Sequence, residues 1–465
     1  MHFVVASLLA AVNAAGPHYD NGLRANALIT KIAAAAGADS AHTAHVKAVL
    51  HDFSHPKHAG DAWEGQAGGT LSADPARETL AIELRDASDP QPDRYVVRDG
   101  ALLQWKDNQW SSIEAEGELL PSTFLKFDPL ALIATISAHR ENAQLLDAST
   151  LLFAFQNELL RIHVDPKTLL ISRVEKSISN PLFGDLLEIT NYSEWIDRGG
   201  FRFPSRIIIT DGGRQRVALD VVDASRGSSL PKLPKGSERS PLTAEDIEFR
   251  EVAPHLFAAD LAVQNTRIYV AEFDDFLFVI EGAFNAHNGD VLVRRIHERF
   301  SKPIRYHSFS HIHGQYAGSV RSFIADGATV ITTPTGAEYV RQIAASTHGF
   351  DADSLSARPR AARIEEVKTN RTIEDATNSV AIYNVESQHT DDYNVFYFPR
   401  SKTILAGDLL CVRGTDQPLK SRSKLFVSGV QKLGLEVERA LITWPLDIPC
   451  RTDVAWSDVL QANAR

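Results

Sequence analysis

The chain has 465 residues, 44% of them apolar and 23% charged, with a formal net charge of -11. Such a composition is globular, and the length exceeds one ordinary core, so two or three domains are expected. An acidic chain without a long Lys/Arg run excludes nucleic acid as its main partner, and without an apolar run of roughly 18 residues or more no membrane span is expected.

Residues 3–12, FVVASLLAAV, form a short apolar run, and Val12-Asn13-Ala14 follows with small residues suited to cleavage after Ala14. Residues 1–14 therefore fit a signal peptide, which places the mature chain in the periplasm or outside the cell. The n-region holds His2 and no Lys or Arg, so an ordinary N-terminal helix in a cytoplasmic protein is the alternative. Residues 20–50 are Ala-rich, have apolar residues at helical spacing and no Pro, and predict a helix. His42, His45, His51, His55 and His58 crowd the following stretch. They could bind metal, but an incidental solvated cluster is the plainer reading.

From about 60 to 225 the pattern changes to short β-prone runs between turn signals. Tyr95-Val-Val precedes Asp99-Gly100 and then Ala101–Trp105; further runs are Leu151–Phe155, Leu159–Val164, Leu169–Val174 and Phe203–Ile209. A helix is expected near Pro129–Ser137. This hairpin spacing predicts an α+β domain over 20–223 with a large antiparallel sheet. Its strand rhythm, with Asn191-Tyr-Ser-Glu-Trp195 and Gly200-Phe-Arg-Phe-Pro204, resembles the curved-sheet fold of bacterial lipoprotein carriers. No residue there carries a nameable chemistry.

Residues 224–246, rich in Ser, Pro, Gly and Lys, read as a linker. From 247 to 465 strands alternate with helices. Ile268–Phe273 and Phe276–Ile280 are predicted strands around an Asp-Asp turn, Asp290–Phe300 a helix, and Pro303–Ser310 a strand. Tyr316, Val320, Phe323 and Ile324 fall on one helical face. Thr329–Thr333 is a predicted strand, and Thr335-Gly-Ala-Glu338 reads as a capping box. Asn394–Phe398 and Thr403–Ala406 form a predicted hairpin. Alternating elements imply a layered sheet with outer helices, whose ligands sit at loops beyond strand ends.

HIHGQY, residues 311–316, lies at such a strand end. In an extended segment residues i and i+2 point the same way, so His311 and His313 can meet one ion. His389 precedes one strand of the later hairpin, and Asp408 follows the other. The two cysteines, Cys411 and Cys450, lack CxxC spacing; they are weak zinc candidates that either pair or remain unpaired. The chain contains no P-loop, GxGxxG or GxSxG, so nucleotide binding and serine hydrolysis have no support.

Ser310-HIHGQYAG-Ser319, then His389, then Leu405-Ala-Gly-Asp408-Leu-Leu410 resemble the metallo-β-lactamase superfamily in order and wording. The resemblance implies an αββα sandwich over 247–465 and hydrolysis of a small-molecule substrate at a metal centre. Family members carry HxHxDH, a single His, a single Asp and a final His. One ion is held by three histidines, matched here by His311, His313 and His389, and Asp408 matches the bridging aspartate. The second ion needs positions that here hold Gln315 and Tyr316, and no His follows His389.

A neutral amide and a phenol are poor zinc ligands. The expectation is therefore a mononuclear zinc hydrolase in which Asp408 orients the attacking water or completes the ligand set. A silenced binding or scaffold protein is the alternative. A third reading is mononuclear iron on His311, His389 and Asp408, a ligand set that resembles the persulfide dioxygenases. Tyr316 either donates to a substrate oxygen or packs with Val320 and Phe323. Glu281 either supports the site or has no role, and His307 is expected to be packed or supporting. Substrate identity and oligomeric state are not legible.

Overall fold

The computed structural model describes residues 18–38, 44–52, 65–74, 79–85, 92–98, 101–106, 109–113, 125–156, 158–180, 182–227, 247–261, 265–446 and 450–465. Residues 1–14, His42, His55, His58, Asp99-Gly100 and most of the expected linker lie outside them. The chain divides into two compact units. The first holds the described residues to Ser179 and from Asp185 to Gly227; the second holds Asn180–Gly184 and the described residues from Ile247.

The first unit is a 13-stranded sheet. Its innermost pair is Ala44–Asp52 against Arg214–Arg226, antiparallel, with Val46 opposite Ala224 and Leu50 opposite Leu219. The helix expected over 20–50 is real only for His18–Ala36. Beyond it the chain is a strand, because Ala44–Asp52 is hydrogen-bonded on both edges, to Arg214–Arg226 and to Gly65–Asp74. Ladder bonds on two sides override a weak local helix preference. Residues 224–226, read as linker, are the end of a strand for the same reason.

Pro129–Ala138 is the expected second helix of this unit. Asp128 caps it by accepting from the backbone N–H groups of Leu130 and Ala131, and Pro129 occupies the first turn, where its missing donor costs nothing. Every residue from Pro129 to Ile136 is buried, so the helix is apolar all round and belongs to the core with Phe153, Ile162 and Phe203.

Beside that core lies an ionic network that sequence reading did not name. Lys126 Nζ lies 2.9 Å from Glu188 Oε2, and Lys176 Nζ lies 3.2 Å from Glu158 Oε1 and 3.6 Å from Glu188 Oε1. Tyr192 closes it by donating to the Lys126 carbonyl at 3.0 Å. Burial pushes the Glu188 carboxyl up, but the two ammonium groups outweigh it and hold the group down at about 2. Burial also pulls Lys126 below its ordinary value, so the net gain of the pair is smaller than the carboxylate alone suggests.

The second unit has four layers. A 7-stranded sheet runs Arg250–Ala253, Leu256–Leu261, Thr266–Glu272, Leu277–Ile280, Ile304–Ser308, Thr329–Thr332 and Arg363–Glu366. Its first four strands are antiparallel neighbours and the rest pair in parallel. A 6-stranded sheet runs Asn370–Glu374, Ser379–Val385, Tyr393–Phe398, Thr403–Leu405, Arg439–Leu441 and Asp453–Ala455. Tyr269, Phe278 and Ile280 of one sheet pack on Ile382, Phe396 and Phe398 of the other. The opposite face of the first sheet carries Ala286–Arg299 through Leu292 and Ile296. The opposite face of the second carries Ser421–Lys432 and Trp456–Asn463 through Phe426, Val430 and Val459. Because both faces of each sheet are covered, strands such as Leu277–Ile280 and Tyr393–Phe398 are buried at every position and read as near-continuous apolar runs.

Two local expectations change and one open alternative closes. The helix after Thr332 is Pro334–Ala345 and is capped by Thr333, whose Oγ1 accepts from Gly336 N; with Pro334 at the first helical position, the cap sits two residues ahead of Thr335. The helix expected from Tyr316 is two pieces, Gly314–Ala317 and Val320–Asp326. Gly318 lies between them, where an added Cβ would meet the Phe284 carbonyl oxygen at 2.0 Å. Cys411 and Cys450 are joined in a disulfide. No described helix is long and apolar enough to cross a membrane.

The buried network yields a test. Glu188 is depressed from 4.5 to about 2 in the folded chain, so its stabilisation is complete above about pH 4.5 and fades as pH falls towards 2. Glu188→Gln leaves two buried ammonium groups short of a counter-charge and should cost on the order of 3 kcal/mol at pH 7. In denaturant unfolding of the full chain, the gap between wild type and variant should close between pH 4.5 and 2. A gap independent of pH would remove the charge explanation.

Candidate metal centre

The centre forms where one end of each sheet of the second unit meets the other. The parallel strands Leu277–Ile280 and Ile304–Ser308 end side by side and lead into Glu281 and into Phe309–His313. From the second sheet come Ser387–Asp392, just before Tyr393–Phe398, and Ala406–Asp408, just after Thr403–Leu405. The ends are stitched by backbone bonds: Asn394 N–H to the Ser310 carbonyl at 2.8 Å, and Thr443 N–H to the Gly407 carbonyl at 2.8 Å.

These stitches bring His311, His313 and His389 together, with one ring nitrogen from each within 4.8 Å of the others. His313 has extended backbone (φ -81°, ψ 151°), and His311 Nε2 lies 2.9 Å from His313 Nδ1. Asp408 joins the cluster: its Oδ2 is 3.0 Å from His389 Nε2 and 3.8 Å from His311 Nε2. His311 and His313 are buried and the Asp408 side chain is only 5% exposed, while His389 keeps partial access to solvent. Zinc bonds of about 2.0–2.1 Å would set tetrahedral ligand atoms about 3.4 Å apart. The observed separations bracket that value, and imidazole nitrogen with one carboxylate is a zinc-compatible donor set, so these residues fit the ion.

Tyr393, which sequence reading passed over, holds the carboxylate. Its hydroxyl donates to Asp408 Oδ1 at 2.9 Å and accepts the Asp408 N–H at 2.9 Å. The same ring stacks on His311, with centroids 4.8 Å apart and planes 22° from parallel. Gly407 makes this contact possible. It sits at φ 58°, and an added Cβ would lie 1.9 Å from the Tyr393 hydroxyl. Burial alone would raise the Asp408 carboxyl, but His311, His389 and Arg422 reverse this and hold it well below the usual carboxylate range.

Glu281 supports the loop. It is buried at φ 65°, an unusual conformation for a side-chain-bearing residue. Its N–H donates to the Ser308 carbonyl at 2.8 Å, and its Oε2 accepts from Ser310 N at 3.0 Å. Ser310 Oγ in turn lies 2.9 Å from His311 Nδ1. Burial, aided by the Asp408 charge, pushes Glu281 up to about 8 against the opposing hydrogen bonds from Ser310 and Thr443. Such an outer hydrogen bond orients a ligand ring.

Tyr316 is buried with its ring centroid 4.6 Å from that of His311, and it packs in one cluster with Ile312, Val320 and Ile324. Phe323 belongs to another cluster, against Leu292 and Ile296. Gln315 is half-buried in the short helix Gly314–Ala317. His307 lies outside the cluster: it is fully buried, stacks on Phe323 at 3.9 Å, and burial holds it down at about 3, hence neutral. Arg422 was also missed. Its Nη1 is 3.9 Å from Asp408 Oδ2, although it lies in a separate helix. No sequence signal marks Tyr393 or Arg422, since both reach the centre through pairing and helix packing rather than spacing. Of the N-terminal histidines, His45 and His51 fall in the strand Ala44–Asp52 of the first unit.

No family model matches the chain, and no curated protein matches it. Among solved structures it is similar to a metallo-β-lactamase from Pontibacter korlensis, at 12% identity and a TM-score of 0.35, over 47% of this chain and 98% of that one. It is likewise similar to the metallo-β-lactamase FIM-1 of Pseudomonas aeruginosa in its mono-zinc form, at 14% identity and 0.35, over 46% and 93%. A third is the metallo-β-lactamase of Hirschia baltica, at 12% identity and 0.35, over 46% and 95%. Likeness at this level settles neither family nor activity, so the chemistry must be read from the side chains.

The Tyr393–Asp408 contact makes a prediction. Tyr393→Phe keeps the ring on His311 but removes both hydrogen bonds to Asp408. Zinc affinity, measured by competition with a chromophoric chelator, should fall about 10- to 100-fold. Gly407→Ala should also lower the melting temperature, because its Cβ displaces the same phenol. Unchanged affinity in both variants would show that the contact does not support the ligands.

Proposed function

We propose that the second unit is a metal-dependent hydrolase centre with one zinc ion held by His311, His313 and His389. The observation that carries this reading is the convergence of three imidazoles, brought from two separate segments, beside an ionised carboxylate. Exposed acidic groups gather without function, but buried imidazoles around one point are costly to leave unused. A zinc ion there supplies Lewis acidity and lowers the pKa of water towards neutrality.

The chain's own residues do the rest. Asp408 is ionised and fixed at both oxygens, so it can take a proton from an attacking water or complete the ligand set. Tyr393 holds that carboxylate in one orientation. Tyr316 presents a neutral hydroxyl beside His311, suited to donate to an oxygen that gains charge. Gln315 and Tyr316 offer no anionic or imidazole donor, which supports one ion rather than two. The fold does not choose among esters, lactones, amides and phosphoesters. The disulfide Cys411–Cys450 supports an exported location, since such bonds persist in oxidising compartments.

One observation favours a second reading, a fold-retaining binding protein without turnover. His311 and His313 lie within hydrogen-bond distance of each other, so the pair can satisfy itself by sharing a proton. Iron on His311, His389 and Asp408 is a third reading, supported by the two-histidine, one-carboxylate set.

Elemental analysis separates them. About one zinc per chain is expected, lost in His389→Ala. One iron per chain would favour oxygen chemistry. Protein that takes up no metal after zinc soaking would sink both enzyme readings.

A further inference from the structure

We propose that Asp392 is a positioning residue for His389: its carboxylate grips the first turn of the helix Pro334–Ala345 and so sets the third imidazole against His311 and His313. This deepens the metal-centre reading and rests on it for its purpose, but half of its test needs no metal.

His389 is the ligand that needs such help. His311 and His313 share one segment, which follows directly from the strand Ile304–Ser308. His389 comes from the loop between Ser379–Val385 and Tyr393–Phe398, and its side chain is 19% exposed. A ring on a connecting loop at the solvent edge has more freedom than one locked in a core.

The loop is braced from within. Ser387 Oγ accepts from the N–H groups of His389 and Thr390, both at 3.0 Å, and donates to the Thr390 carbonyl at 2.9 Å. Thr390 Oγ1 donates to the Asp392 carbonyl at 3.0 Å. Residues 387–392 therefore form one braced piece, and Asp392 ties it outwards. Its Oδ2 accepts from Thr335 N at 3.2 Å, and its Oδ1 accepts from Asn384 Nδ2 at 3.3 Å. Asn384 Oδ1 in turn accepts from Tyr393 N at 3.2 Å. Burial would raise the Asp392 carboxyl, but hydrogen bonds from Thr335, Asn384 and Thr333 hold it below its ordinary value. An anion is also the charge that the start of a helix favours.

The helix is a fixed reference. Its Val340 and Ile343 are buried in one apolar cluster with Phe309, Ile312 and Tyr316, the apolar residues around His311 and His313 in sequence. The helix and the histidine pair thus share a core, and Asp392 joins the third histidine to it. Loss of the carboxylate would free the loop that carries His389 and leave the His311–His313 segment where it is.

The test combines metal binding with a metal-free companion, both on the full chain. Asp392→Ala should weaken zinc about tenfold in chelator competition. Asp392→Asn keeps one acceptor oxygen and should fall between. Loaded with cobalt(II), Asp392→Ala should absorb less visible light per bound ion, because water replaces a loosened third imidazole and raises the coordination number. In metal-free protein, acylation by diethyl pyrocarbonate is followed at each histidine by mass spectrometry. Asp392→Ala should speed the reaction at His389 about threefold or more, with exposed His139 unchanged and buried His307 protected.

Weaker zinc binding with an unchanged cobalt spectrum per ion would make Asp392 a general stabiliser and overturn the proposal. Unchanged zinc affinity would overturn it too, while leaving the zinc reading intact. Wild type that takes up no metal sinks the metal reading, and acylation alone then decides: acceleration confined to His389 keeps the positioning role, and no acceleration removes it. Reaction at His307 in Asp392→Ala signals general opening, and every comparison then passes to Asp392→Asn, where the same outcomes decide.

Discussion

A carboxylate can stay ionised inside a protein only if its surroundings replace the water it gave up, and Asp408 is the group on which this centre depends. His389 meets one oxygen and Tyr393 the other, with His311 and Arg422 adding positive charge nearby. Each partner also has a second task. Tyr393 stacks on His311, and His389 is one of the three converging imidazoles. Removing the carboxylate would therefore loosen the rings as well as the charge.

The layered architecture explains why these groups meet. Parallel strands end at a common edge, and their loops leave in the same direction, so Glu281 and Phe309–His313 are neighbours without special contrivance. The second sheet contributes loops at the matching end because the two sheets are joined there by Asn394 to Ser310. Two backbone features complete the arrangement, Gly407 at φ 58° and Glu281 at φ 65°. Gly407 takes the left-handed region without strain, whereas Glu281 holds it beside the histidine loop at a cost that close packing sustains.

The first unit works on different physics. Its apolar helix Pro129–Ala138 and the inner face of its sheet build an ordinary core, but the ion network of Lys126, Lys176, Glu158 and Glu188 lies buried beside it. A buried network of this kind adds little net stability over a well-packed apolar replacement, yet it is strongly destabilising when one member is lost. No converging imidazoles occur among its described residues, where the metal-type cluster is that of the second unit.

Strand rhythm, the Pro129 helix and the order His311, His313, His389, Asp408 were legible in the sequence, because they depend on local periodicity and on residue types that carry chemistry. The strand at Ala44–Asp52 was not, since its hydrogen-bond partners lie far along the chain and outweigh local helix preference. Nor was the state of Cys411 and Cys450, which a pair of cysteines without a motif leaves open. By itself the sequence determined which residue types could serve as donors, and that Gln315 and Tyr316 offer neither an imidazole nor a carboxylate. Only the tertiary structure decided that Tyr393 grips Asp408, that Arg422 arrives beside it, and that Tyr316 turns its ring to His311. Those contacts are set by strand pairing and helix docking, which join residues that no spacing along the chain relates.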